Sequence, residues 1–558
     1  MSEEKLRAVT MLYDKDGCPL FKSVLSPSEN TTRALCIVPP DEVFPVIFVP
    51  GIMGSNLRFK VSIKEFNIGK DIAWRPDDVW HTAWMFANLE PAQRRLILDP
   101  ENTVLDDRAE IPDSKLPVFK TADKAARENW KKEYARRGWG TVMLDSYGEI
   151  LYHLELHLNG IYDDNYALAA YWRERILGAK ADTGNDGNSK HPWGVMKGHT
   201  ALTEDDLKEK VGDKYWFPVH AAGYNWLRSN DEAGKALARQ IDKIIGHYKK
   251  LGFPCEKVIL VTHSMGGLAA RAACHPEIGN AAAKVAGIVH GEQPAIGAAA
   301  AYKRMHAGFE AGGLFNIVGL IIARALGWSG KEVTAVLSNA PGGLELLPTK
   351  LYPPGWLRVQ HGEKDMMPPL PVSNPYAEIY AEKDKWWRLM NPEWIDPGNG
   401  DKSSDAVDKI WDDYLVRLDT AEKFHDTLGA YYHPLTHAHY GADEKNKAWS
   451  TFTWKLKESW FGETKVGAGT VDAPPLENDA FGEVKVKSNG ITVEFGMLPP
   501  GQPGDGTVPE ISGAASASKA AFAAKMTGYE HQGSYENPWV KDVTTYSVAR
   551  IARDSDGK

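Results

Sequence analysis

The stretch Val258-Ile-Leu-Val-Thr-His-Ser-Met-Gly-Gly-Leu-Ala-Ala270 constrains this chain more than any other. The apolar run Val258 to Val261 has no polar face, so it suits the buried middle strand of a parallel sheet. Gly266, Gly267, Ala269 and Ala270 follow at once and let a helix start immediately and pack close. Ser264 sits at the bend between the two. Strand, sharp turn and helix in this order make a nucleophile elbow, in which a glycine two positions on relieves crowding and the helix N-terminus points amides at developing negative charge. Ser264 is therefore the candidate nucleophile; the alternative role for a serine here is a helix N-cap. The usual Gly-x-Ser-x-Gly pattern has Thr262 in place of its first glycine, a small β-branched residue that fits a strand end. His263 cannot be the base for Ser264, because adjacent side chains at such a bend diverge.

A second stretch, Phe44-Pro-Val-Ile-Phe-Val-Pro-Gly-Ile-Met-Gly-Ser-Asn-Leu-Arg58, predicts a buried strand over Val46 to Val49 that stops at a Pro-Gly turn. The amides of such a loop are free of ladder duties. The backbone N–H of Ile52, paired with that of Met265 after the nucleophile, is the candidate oxyanion hole.

Val49-Pro-Gly-Ile-Met-Gly-Ser55, Thr262-His-Ser-Met-Gly-Gly267 and Gly504-Asp-Gly-Thr-Val-Pro509 together resemble the lecithin–cholesterol acyltransferase-like branch of the α/β-hydrolases, which is itself similar to the GPI inositol-deacylase lipases. Ala222-Gly-Tyr-Asn-Trp-Leu227 and Leu346-Leu-Pro348 are similar to that branch too. The resemblance implies an α/β fold with a mostly parallel central sheet, helices on both faces and large cap and lid insertions. In that fold the triad runs serine, acid, histidine along the chain, which selects Asp505 and then His531 in Thr527-Gly-Tyr-Glu-His-Gln-Gly533. Asp365 and Glu363 are the rival acids. His531 would take the proton of Ser264 and return it to the leaving group, with Asp505 fixing the ring tautomer.

On this basis residues 1–40 form N-terminal strands, and 41–58, 215–310 and 481–558 the core. Residues 59–214 are a first cap insertion, 311–348 a lid candidate with the return to the core, and 349–480 a second cap insertion. Helical spacing over Ala233 to Lys250 predicts a helix covering the sheet, and Glu483 to Lys487 with Ile491 to Phe495 predict two strands across a tight turn in the core. The apolar stretch from Ala311 to Ala323 carries Leu314, Phe315, Ile317, Leu320 and Ile321 among glycines. It fits a mobile lid that meets lipid, or a buried helix; periodicity does not separate the two. His290, where the framework opens onto the site, is a candidate substrate contact or a structural histidine. Trp74, Trp80 and Trp84 are candidates for an acyl channel, and the second cap's Trp386, Trp387, Trp394, Trp411, Trp449, Trp454 and Trp460 for a membrane interface, with core packing as the blander role of tryptophan.

A formal net charge of -9 gives no basic field for nucleic acid, which excludes that partner class. The 4 cysteines lack Cys-x-x-Cys spacing, so neither a disulfide framework nor a metal cluster is expected. Asp396, Asn399, Asp401 and Asp405 offer oxygens suited to calcium but not the EF-hand register, so a solvated acidic loop and no cofactor are expected. Met1 to Thr10 shows no basic start followed by an apolar run, and no segment has clean spanning length, so a soluble chain made in the cytoplasm without a signal peptide is expected.

These features point to a lipase or phospholipase acting on membrane phospholipid through an acyl-enzyme. By resemblance, the setting is that of type VI secretion antibacterial lipase effectors: delivery by secretion machinery, action in a target bacterium's periplasm and neutralisation by a cognate immunity protein. The alternatives are a housekeeping carboxylesterase or acyltransferase on other esters, and a lipid-binding module on an inactive hydrolase frame.

Overall fold

Alternation along the two apolar strands sorts their side chains onto two faces and so fixes the layers. A computed structural model describes residues 6–22, 33–35, 38–60, 71–77, 82, 85–86, 89–108, 110–116, 123–163, 165–178, 191–310, 327–457, 466, 468–478, 480–488 and 490–555. The strands of the largest sheet are β1 (Val46–Val49), β2 (Val195–Lys197), β3 (Val219–Ala221), β4 (Val258–His263), β5 (Val285–Gly291), β6 (Thr436–Gly441) and β7 (Phe522–Met526). They lie in the order β2-β7-β6-β5-β4-β1-β3, and every pair is parallel except β2 with β7. The principal helices are α1 (Leu144–Asn159), α2 (Asn230–Lys250), α3 (Gly266–Cys274), α4 (Ala299–Ala307) and α5 (Pro538–Asp554).

Val46, Phe48, Ile259 and Val261 join one buried cluster with Ile150 and Leu154 of α1 and Val540 and Ile551 of α5. Their neighbours Ile47, Val49, Val258 and Leu260 join another with Leu237 and Ile241 of α2 and Leu268 of α3. The period-2 pleat thus sends alternate residues to opposite faces, each covered by helices, which is why β1 and β4 read as continuous apolar runs. The fold is mixed α/β with a large, mostly parallel sheet.

Three expectations about organisation change. Residues 349–480 are not wholly an insertion, because β6 lies between β5 and β7 in the middle of the large sheet. Its sequence, Thr436-His-Ala-His-Tyr-Gly441, lacks an apolar run; the histidines are nevertheless buried, and His439 is satisfied there by Glu292 and Thr544. Within 59–214, α1 covers one face of the sheet and β2 forms its edge, so this segment too contributes to the core. The predicted hairpin forms, with Ser488 opposite Ile491, but not in the core sheet. It belongs to a six-stranded sheet ordered Lys364–Asp365, Leu357–His361, Phe452–Leu456, Ile491–Met497, Glu483–Ser488 and Pro475–Asn478.

That second sheet docks on α4, where Trp454 Nε1 donates to Tyr302 Oη at 3.0 Å and the Phe452 ring lies 4.9 Å from the Tyr302 ring. Trp386, Trp387, Trp394, Trp411, Trp449 and Trp454 are all buried. Buried in this way, they do not present an interfacial belt, which corrects the membrane-seating expectation for them. Trp460, Trp80 and Trp84 lie outside the described residues. No described helix is long and apolar enough to cross a membrane.

Candidate active site

Ser264 stands between the end of β4 and the start of α3 with φ +53, a left-handed conformation that a side-chain-bearing residue holds only under tertiary constraint. Its N–H donates to the Gly291 carbonyl at the end of β5, at 2.9 Å. The glycines after it are required by close approach. A Cβ on Gly266 would lie 2.4 Å from the Val49 carbonyl oxygen, and one on Gly267 2.7 Å from the Gln293 side chain. Gly51, across the cleft, would put a Cβ 2.9 Å from that of Ser264. The elbow and the β1 loop are therefore in contact along their backbones.

The β1 loop is pinned from three sides. Tyr224 Oη donates to Pro50 O at 3.0 Å, Trp74 Nε1 donates to Met53 O at 2.7 Å, and Gly51 N–H donates to Tyr147 Oη at 3.2 Å. Met53 takes φ +66 within this turn. Among the described residues, neither the Ile52 N–H nor the Met265 N–H meets an acceptor. Trp74 thus buttresses the loop and does not line the cavity, contrary to its expected place in an acyl channel.

His531 Nε2 lies 2.9 Å from Ser264 Oγ, and His531 Nδ1 lies 2.7 Å from Asp505 Oδ2. Asp505 Oδ1 accepts from the N–H groups of Thr507 at 3.0 Å and Val508 at 2.7 Å, which fixes the carboxylate plane. The His531 N–H returns to Asp505 O at 2.8 Å, and Gly506 N–H donates to Asn446 O at 2.8 Å. The three residues chosen from sequence are thus in one hydrogen-bonded row, all of them buried. Asp365 and Glu363 are elsewhere, on the short strand and turn of the second sheet; Gln360 Nε2 donates to Asp365 at 2.9 Å, and Lys455 pairs with Glu363 at 3.4 Å.

His263 is fully enclosed and joins the parts. Tyr147 Oη donates to its Nδ1 at 2.9 Å, and its Nε2–H donates to His531 O at 3.0 Å. Burial pushes its pKa well below the ordinary histidine value, so it is a neutral bridge between the β1 loop, the elbow and the His531 loop. Sequence reasoning excluded it as the base but missed this role, as it missed Tyr147 and Asn446, whose partners are distant in the chain. It also missed Glu292, at φ +52, which accepts from Tyr529 Oη and the Gly441 N–H at 2.9 Å each and sits 3.0 Å from His439 Nδ1.

A cavity of about 290 Å³ opens over the row, walled by Ile52, Ser264, Leu337, Leu346, Asp505 and His531 among others. His290 is not part of it. That residue is fully buried, 3.2 Å from Thr262 Oγ1, and burial followed by the Arg271 charge lowers its pKa to about 3, so it is a structural histidine and not a substrate contact. The lid candidates Leu314, Phe315, Ile317, Leu320 and Ile321 lie outside the described residues. In the acidic loop Asp396 pairs with Arg95 at 3.1 Å, while Asn399 and Asp401 accept local backbone N–H groups. Among the described residues no group of three His, Cys, Asp or Glu is arranged to hold a metal.

No family model matches the sequence, and no curated protein does. A chain in the solved structure described as the crystal structure of the Tle4-Tli4 complex matches with a TM-score of 0.69 and 28% sequence identity, over 92% of this chain and 99% of that one. In its overall structure the chain is thus similar to a type VI lipase effector, the likeness that the sequence motifs predict.

Proposed function

We propose that this chain is a serine hydrolase of the α/β-hydrolase type that cleaves the acyl esters of membrane phospholipids through an acyl-enzyme. The observation that carries the proposal is the row Asp505, His531 and Ser264, linked at 2.7 and 2.9 Å and opening on a cavity, with the Ile52 and Met265 N–H groups meeting no acceptor among the described residues. His531 Nε2 takes the Ser264 proton as Oγ bonds to the ester carbonyl carbon, and Asp505 stabilises the imidazolium that results. The carbonyl oxygen becomes an oxyanion facing the Ile52 and Met265 N–H groups, which need no reorganisation at that moment. Collapse breaks the ester C–O bond, and His531 gives its proton to the departing alcohol. Water, deprotonated by the same ring, then releases the fatty acid and restores Ser264.

The biological setting we propose is that of an antibacterial type VI effector that acts in the periplasm of a target cell and is restrained at home by an immunity protein. The likeness to Tle4, solved together with Tli4, supports the effector reading and the immunity partner. Fatty-acid release from mixed phospholipid vesicles tests the chemistry: the native chain releases fatty acid and Ser264→Ala does not. No release from vesicles alongside cleavage of a short soluble ester would favour a carboxylesterase. For the setting, expression directed to the periplasm damages the membrane in a Ser264-dependent way; harmless expression of active protein contradicts it.

A further inference from the structure

Arg304, on α4, is the one lysine or arginine among the described residues that wall the cavity over Ser264. Its guanidinium is oriented on three sides. Nε donates to Glu310 at 3.1 Å, Nη2 donates to Thr507 Oγ1 at 3.0 Å, and its Cζ lies 4.8 Å from the centre of the Phe309 ring. The partner carboxylate is shared: Lys303 Nζ reaches the other oxygen of Glu310 at 2.9 Å. Burial alone would raise the Glu310 pKa, but the Arg304 and Lys303 charges outweigh it and hold the group at about 2. Two cations thus face the Glu310 carboxylate; Asp505, the other buried carboxylate on the cavity, is engaged by His531 and by the Thr507 and Val508 N–H groups, and Arg304 is the cation that reaches the cavity. Glu530 opens on the same cavity, but it is exposed, and solvent screens an exposed charge strongly.

The position of this charge matters. Thr507, which accepts from Arg304, is the residue whose N–H donates to Asp505 Oδ1 at 3.0 Å. The cation therefore lies two hydrogen bonds from the acid of the Ser264 row. In a glycerophospholipid only a few covalent bonds separate the scissile carbonyl from the phosphorus, so a lipid with its ester at Ser264 must put its phosphate close by. An arginine fixed in its plane and stacked on an aromatic ring is suited to a phosphate oxygen, whereas a neutral ester offers it nothing.

Building on the phospholipase reading above, we propose that Arg304 forms an anion subsite for the phosphodiester of the substrate lipid, positioned by Glu310, Thr507 and Phe309, and that it sets the preference for phospholipid over neutral glyceride. The test compares kcat/KM for dioleoylphosphatidylglycerol and dioleoylglycerol in the same detergent micelles, for the native chain, Arg304→Gln and Arg304→Lys, with thermal unfolding recorded for each. The ratio of the two falls about tenfold in Arg304→Gln, mainly through KM, as loss of a charge-assisted hydrogen bond predicts. Arg304→Lys keeps the charge without the planar fork and gives an intermediate ratio. A parallel fall on both lipids would overturn the subsite. If Arg304→Gln does not fold, Arg304→Lys decides alone: a lowered ratio supports the subsite and the native ratio overturns it. Inorganic phosphate distinguishes the source of the anion. Arg304-dependent inhibition of dioleoylglycerol cleavage in a native chain with no preference for phosphatidylglycerol would assign the site to free phosphate and overturn the headgroup role. A native chain that cleaves neither lipid would overturn the phospholipase reading and this subsite with it.

Discussion

Ser264 and His531 stand 2.9 Å apart but are held by opposite means. The elbow is encoded in contiguous residues: an apolar strand, a left-handed serine at φ +53 and glycines without room for a Cβ. The acid and histidine come from turns 26 residues apart in the chain; Thr507 and Val508 hold Asp505 locally, but the other partners are farther still: Asn446 and, through His263, Tyr147. Ser264 is set by local sterics and His531 by a long-range hydrogen-bond network. A substitution at the elbow should therefore act through packing and folding, and one around His531 through the alignment of a proton donor.

The largest effects remove the row itself. Ser264→Ala and His531→Ala each lower the turnover of a soluble ester by about 10⁴-fold or more, and the double variant is scarcely worse than either, because the residues act as a unit. A double variant whose loss equals the product of the two would break the idea that both arms serve one step.

Next comes the steric side of the comparison. Gly266→Val forces side-chain atoms onto the Val49 and Pro50 carbonyl oxygens and costs about 3 kcal/mol in urea unfolding. Unchanged stability would show that the elbow is not locked to the β1 loop. Smaller in stability but directed at alignment is Tyr147→Phe, which deprives the Gly51 N–H of its acceptor and His263 Nδ1 of its donor. It costs about 1–3 kcal/mol for the groups left unpaired and lowers kcat several-fold with little change in KM. A KM effect with intact kcat would place Tyr147 in binding and not in positioning.

The smallest effect concerns pH. His290, His306, His425 and His263 have folded pKa values below the ordinary 6.5, each with burial as the largest cause. For a depressed histidine the stabilisation is complete above the unfolded pKa and is lost as pH falls toward the folded value. Thermal stability should therefore fall as pH drops below about 6.5 toward 4, and His290→Gln should make that slope shallower. An unchanged slope would contradict the burial of His290 as a neutral residue.

The same contrast explains what could be read from the sequence. Ser264 and the strands β1 and β4 announce themselves because an apolar run and a glycine-rich bend are local patterns. Asp505 and His531 were reachable only by adding the chain order of a resembling family. Nothing local marks His263 as a bridge, Tyr147 as its support or Arg304 as a cavity cation, since each acquires its role from a partner more than 80 residues away or from a wall assembled from several segments. β6 escaped for a related reason: its two histidines look polar, and it is through Glu292 and Thr544, distant in the chain, that His439 fits a central strand.

In the proposed mechanism Ser264 is a nucleophile activated by His531. The most direct measurement is labelling with a fluorophosphonate followed by peptide mapping of the native chain and of His531→Ala. One adduct is expected, on Ser264, with its near disappearance when His531 is removed. An adduct on another serine, or labelling of Ser264 that is indifferent to His531, would contradict it.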